Sequence, residues 1–230
     1  MAIAHVASES TSGVSSTIVV NKPAGTVNGH VMIAFIGYFR NSGVPTTPPT
    51  APSGWTALAS SPQHGYWGST TGWILHAYWK VASSEGSSYT WTLASSTDTT
   101  GSISTYSGCH ASTPIDVSGG NGRDSEPNAT WNAPTVTLPV AEWAICAYGV
   151  PGYRTVSTPP SDLTARVSIG GNVHWVGDTN SDKSAGSYAP TTITFSSNCA
   201  VGAFTIGLKP ASGITMPIFD HHYRMQRSSQ

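Results

Sequence analysis

With 230 residues, only 9% of them charged, and 10 Lys+Arg against 11 Asp+Glu, the chain carries no global field that would draw nucleic acid or an anionic membrane to it. The length suits one two-sheet β body, for which roughly 200 to 250 residues is usual. Hydrophobic residues make up 38%, so the core must rely on 8 Trp, 9 Tyr and 5 Phe, while 24 Gly, 16 Pro and long Ser/Thr stretches give a neutral, hydroxyl-rich surface suited to an assembly.

The opening MAIAHVASES has neither a positive n-region nor an apolar h-region, and no run reaches about 18 apolar residues. The expectation is synthesis and folding in the cytoplasm without membrane insertion. Helical periodicity is nearly absent, since Gly or Pro interrupts every window that begins to show it, and strands must therefore carry the fold. In chain order the clearest strand signals are Val14 to Val20, Val31 to Phe39, Gly72 to Val81, Ser88 to Leu93, Ser102 to Tyr106, Trp143 to Tyr148, Val173 to Val176, Thr191 to Phe195 and Val201 to Leu208. Asn28-Gly29, Pro45 to Pro52, Ser118 to Gly122 and Thr158 to Ser161 read as turns between them. Alternation in the third run places Trp73, Leu75, Ala77, Trp79 and Val81 on one face, and Ile74, His76, Tyr78 and Lys80 on a face nearer solvent. Cys109, Cys146 and Cys199 are odd in number and far apart, so each reads as a small core or turn residue and not as part of a disulfide framework.

The chain echoes itself. Pro52-Ser53-Gly54-Trp55-Thr56-Ala57 matches Pro160-Ser161-Asp162-Leu163-Thr164-Ala165; an apolar strand precedes each copy, and a Thr-alternating strand, a Ser-rich turn and a last strand follow. The fold class predicted is all-β: a jelly-roll-like antiparallel β-sandwich over 1–210, built from two pseudo-repeated halves at about 1–118 and 119–210. Two small sandwiches in tandem are the alternative; the absence of a linker and the poor core of either half favour one jelly roll. Residues 211–230 do not alternate. Ile214, Met216, Ile218, Phe219, Tyr223, Arg224 and Met225 form either a C-terminal arm docking on another subunit or a frayed end.

Catalytic chemistry finds few carriers. There is no G-x-S-x-G elbow, and the acidic residues fall mostly in Gly/Ser-rich turns, where Asp178 with Asp182 reads as a solvated loop. No D-x-D-x-D spacing, P-loop or strand-borne G-x-G-x-x-G occurs, and the adjacent His221 and His222 point apart on an extended chain. No catalytic residue, metal or cofactor is therefore expected. Tyr66, Trp67 and Trp73 are the one candidate ligand platform, aromatics that could stack on a glycan, with burial over the open end of the barrel as the competing role.

Several stretches resemble a group of tailed-bacteriophage structural proteins. They are the opening MAIAHVAS, the run Asn21 to Ala34, the Pro-Ser-Gly-Trp at Pro52 to Trp55, and Tyr78 to Ala82. Ser104 to Gly108, Thr113 to Val117 and the closing Ile206 to Pro210 extend the resemblance over roughly residues 1 to 210. It implies a minor tail protein or related virion component with a β-sandwich, docked on the particle among other virion proteins and copies of itself and in contact with the host surface, where a glycan is the candidate ligand. Capsid decoration by the same fold and a carbohydrate-binding module acting alone are the alternatives. Nucleic acid and membrane insertion are not expected, and localisation would be on the virion. His30 departs from the acidic residue expected after Asn-Gly, and residues 211–230 have no counterpart.

Overall fold

The computed structural model describes residues 2–41, 47–67, 71–124 and 128–211. The C-terminal arm, with Ile214 to Met225, lies outside them. Every regular element among the described residues is a strand, and every pairing is antiparallel. The all-β sandwich expected from the sequence is the architecture observed.

The strands are β1 (Ala4–Asn21), β2 (Val31–Arg40), β3 (Thr56–Ala57), β4 (Gln63–Trp67), β5 (Thr71–Val81), β6 (Ser88–Ser107), β7 (Ile115–Arg123), β8 (Thr130–Trp131), β9 (Val136–Leu138), β10 (Trp143–Arg154), β11 (Val156–Thr158), β12 (Thr164–Ile169), β13 (Gly171–Asp178), β14 (Gly186–Tyr188), β15 (Ile193–Phe195) and β16 (Val201–Leu208). One main sheet runs β1-β6-β2-β5-β3, with β4 also on β5; the other runs β12-β13-β10-β16-β7. Each main sheet is thus drawn wholly from one part of the chain, and the two thread their strands in a corresponding order.

Three cores hold these layers. The central core lies between the main sheets, where Val31, Ile33, Phe35, Trp73 and Leu75 meet Trp143, Ile145, Val176, Phe204 and Ile206. On the far side of the first sheet, Met32, Ala34, Ile36, Tyr38 and Ile74 pack against Ile18, Val20, Tyr89, Trp91 and Trp55. On the far side of the second, Ala144, Cys146, Tyr148 and Trp175 are covered by Trp131, Val136, Tyr188, Ile193 and Phe195 from the short strands. A strand buried on both faces needs apolar residues at every position, which explains the unbroken runs in β2 and in the first half of β10.

The outer cover of the first sheet comes from bending its own edge. β1 pairs with β6 along 18 and 20 residues, but residues 93–96 of β6 bulge between the Ser15↔Thr97 and Thr17↔Thr92 pairs. Beyond that bulge the hairpin carries Ile18, Val20, Tyr89 and Trp91 over the sheet. The Ile74, His76 and Tyr78 face of β5 is consequently buried at 3%, 2% and 3% exposure, and not near solvent as alternation alone suggested.

Ser118 to Gly122, read above as a turn, belongs to β7. Its glycines serve close approach. A side chain at Gly120 would run into Gln63, and one at Gly122 would overlap the backbone of His64, because β4 crosses directly over this strand. Likewise the two segments Ser88 to Leu93 and Ser102 to Tyr106 are one strand, and β12 was not foreseen.

Candidate functional site

Of the three aromatics singled out as a glycan platform, Trp73 must be withdrawn. It is fully buried, on the face of β5 that also carries Leu75 and Ala77. Its indole fits a slot between two sheets that only glycine can line: a Cβ at Gly37 would stand 2.5 Å from Trp73 Nε1, and one at Gly149 would stand 2.7 Å from its Cδ1. No acceptor meets that N–H among the described residues. The ring is a strut of the central core. Trp67 ends β4, and its side chain lies outside the description.

Tyr66 is half-buried, with its ring already engaged. The His64 ring stacks on it at 4.4 Å between centroids and 13° between planes, and the Arg40 guanidinium carbon stands 5.3 Å from its centroid. Asp124 closes the group, its Oδ1 accepting the Tyr66 backbone N–H at 3.1 Å and lying 3.3 Å from His64 Nδ1. The His64 and Asp124 side chains are 44% and 58% exposed. This pair is solvent-screened, so its contribution is small. The cluster is a polar surface patch that ties β4 to the end of β7.

Deeper polar groups join the main sheets. Asp178, read above as part of a solvated loop, is fully buried at the end of β13. It accepts Arg166 Nε at 2.8 Å and Nη2 at 2.9 Å, the Asn180 backbone N–H at 3.0 Å, and the Tyr106 hydroxyl at 3.1 Å from the opposite sheet. This fork-to-fork pair is the strong geometry for guanidinium and carboxylate. Loop-like neighbours, Gly177 and Thr179-Asn180-Ser181, hid it; the partner Arg166 in β12 is the residue that sequence reasoning missed.

A second cross-sheet link is His174, fully buried, with Nδ1 2.9 Å from the Thr100 hydroxyl and Nε2 2.7 Å from the Ser102 hydroxyl. Burial pushes its pKa down to about 3, so the imidazole is neutral and both ring nitrogens are bonded. A Ser–His contact also occurs at the surface edge, where Ser8 Oγ lies 2.8 Å from both His5 Nε2 and Ser104 Oγ. Burial, then the Arg166 charge, lowers the His5 pKa.

Glu142, immediately before the apolar β10, is buried with both carboxylate oxygens unpartnered among the described residues. Burial first, and the neighbouring Asp116 carboxylate second, push its pKa up to about 7. Asp116 itself pairs with Lys209 Nζ at 3.0 Å. No disulfide joins the three cysteines, and all are buried, as small core residues are. Among the described residues no group of three or more His, Cys, Asp or Glu could hold a metal ion.

Among the described residues the buried polar groups link one main sheet to the other. No family model, curated protein or solved structure matches the chain.

Proposed function

We propose that the chain is a structural protein of a bacteriophage virion, a minor tail protein that docks on the particle through its own surface and through residues 211–230. The motif resemblance over residues 1 to 210 suggests the class. The observation that best supports a scaffolding role is where the buried polar groups act. Asp178 with Tyr106 and Arg166, and His174 with Thr100 and Ser102, brace one main sheet against the other. A three-core body braced in this way keeps its shape under load, the property a particle component needs.

On this reading other virion proteins and further copies of the chain are the partners. Deleting residues 212–230 leaves the urea midpoint of the body unchanged and abolishes incorporation into particles. Incorporation of the shortened chain at the normal level would remove the arm from the account. Capsid decoration is the variant reading, distinguished by position on the particle.

A further inference from the structure

Glu142 has no part in the bracing, and its place beside an amine and a second carboxyl gives it a chemistry of its own. Its backbone is held by a two-way exchange with Lys183, the Glu142 N–H donating at 3.1 Å and its carbonyl accepting at 2.8 Å. From the start of β10 the side chain reaches over β16 at Gly207, where a Cβ would overlap Glu142 Oε2 and crowd the Val117 and Leu138 side chains. The carboxyl group thus lies over the middle strand among apolar neighbours, with neither oxygen partnered among the described residues. Lys209 follows Leu208, whose partner is Trp143, so β16 carries the lysine to the level of Glu142. On the other side Val117 pairs with Gly207 and Ile115 with Leu208, which leaves Asp116 as the extra residue of a bulge, its side chain re-aimed. Lys209 Nζ donates to Asp116 Oδ1 at 3.0 Å, and both side chains are partly shielded from water. Burial, then the Asp116 carboxylate, raises the Glu142 pKa to about 7, so near neutrality this group holds a proton it can give.

We propose that Lys209 and Asp116 are the two ends of an intramolecular isopeptide bond that forms spontaneously in the folded chain, with Glu142 moving the protons. The Lys209 ammonium passes one proton to the Asp116 carboxylate across their 3.0 Å contact, which leaves an uncharged amine against a carboxylic acid. The Nζ lone pair then attacks Asp116 Cγ. Glu142 delivers its proton to the departing oxygen of the tetrahedral carbon and takes one back from the nitrogen; the C–O bond breaks and water leaves. The product is the Nζ–Cγ amide, Glu142 is returned protonated, and no oxidant or cofactor enters. The fold supplies what the reaction lacks in water: contact between the groups replaces a bimolecular encounter, and two shielded charges condense to a neutral amide. Lys80 and Glu85, 2.8 Å apart, are a different case, because the Tyr89 hydroxyl and the Ser83 N–H complete that carboxylate and no unpartnered buried acid stands beside it among the described residues. The bond joins β7, the edge of the second main sheet, to the end of β16, 93 residues away in the chain, and the inference stands whether or not the chain belongs to a particle.

Intact-mass spectrometry of the full chain, purified folded and kept until its mass no longer changes, tests this. The wild type should be lighter than its sequence by the mass of one water, and digestion should release a branched peptide that joins Asp116 to Lys209. Lys209→Arg keeps a cation against Asp116 but has no amine that can condense, and it should have the full mass. Glu142→Gln, which cannot relay the proton, should lose water about a hundredfold more slowly. Lys80→Arg should lose water as the wild type does. If Glu142→Gln fails to fold, Lys209→Arg and the branched peptide decide. A folded wild type of full sequence mass overturns the proposal, as does a water loss that persists in Lys209→Arg or maps elsewhere; loss at the wild-type rate in Glu142→Gln removes Glu142 from it. Particle incorporation is measured separately, so failure of one reading leaves the other intact.

Discussion

Two residues set the terms at the smallest scale. Trp73 fills a slot cut by Gly37 and Gly149, and truncation leaves a void that flanking β backbones cannot collapse into. Trp73→Ala should therefore cost about 3–5 kcal/mol in urea unfolding. A change under 1 kcal/mol would show that the slot is not close-packed. Glu142 governs a pH effect. Its pKa is near 4.5 in the unfolded chain and about 7 in the fold. Between those values the unfolded state has released a proton that the folded state keeps, so stability falls as pH rises through this window and stays lower above it. The buried imidazoles of His174 and His76, lowered to about 3 and about 4, act in the opposite direction below about pH 6.5. The Glu142 part is thus read as the difference made by adding Glu142→Gln to Lys209→Arg, a chain that cannot form the bond to Asp116. The double variant should be more stable than Lys209→Arg at pH 8 by on the order of 1–3 kcal/mol, with the gap shrinking towards pH 4.5. A gap independent of pH would assign the effect to packing.

At the scale of elements, the edge strand β12 is tied to the body by Arg166. Removing that partner leaves the fully buried Asp178 carboxylate without a countercharge, held only by the Tyr106 hydroxyl and the Asn180 backbone N–H, so Arg166→Met should destabilise by about 3–5 kcal/mol. Adding Asp178→Leu should recover part of the loss in the same denaturant assay, and no recovery would mean that the guanidinium acts by packing. This level also shows what the sequence could reveal. β2 and the start of β10 announce themselves, because burial on both faces demands an uninterrupted apolar run. β7 does not: Gly119, Gly120 and Gly122 resemble turn residues, yet two of them are small because β4 crosses above them. β6 read as two strands because the stretch Ser95 to Thr100 that joins its two parts is wholly polar. At the candidate sites, alternation already grouped Trp73 with Leu75 and Ala77, which outweighs its Gly/Ser-rich surroundings. Glu142 carried a signal too, as a lone acid opening an apolar strand. Asp116, Glu142 and Lys209 could not be grouped from sequence, since only the pairing of β7, β16 and β10 brings them together.

The whole molecule is built around the central core, to which both main sheets contribute one face. Either part alone would expose Phe35, Trp73, Ile145 or Phe204 to water. The account therefore predicts one cooperative unfolding transition, coincident by tryptophan fluorescence and far-UV circular dichroism; two resolved transitions would make the sheets independent units. The most direct test of the proposed role is to purify the phage particles encoded by the same genome and locate this chain by mass spectrometry and electron cryomicroscopy. The account predicts a fixed copy number and density for the three-core body on the tail. Its absence from intact particles, with the chain abundant in the infected cell, would contradict it.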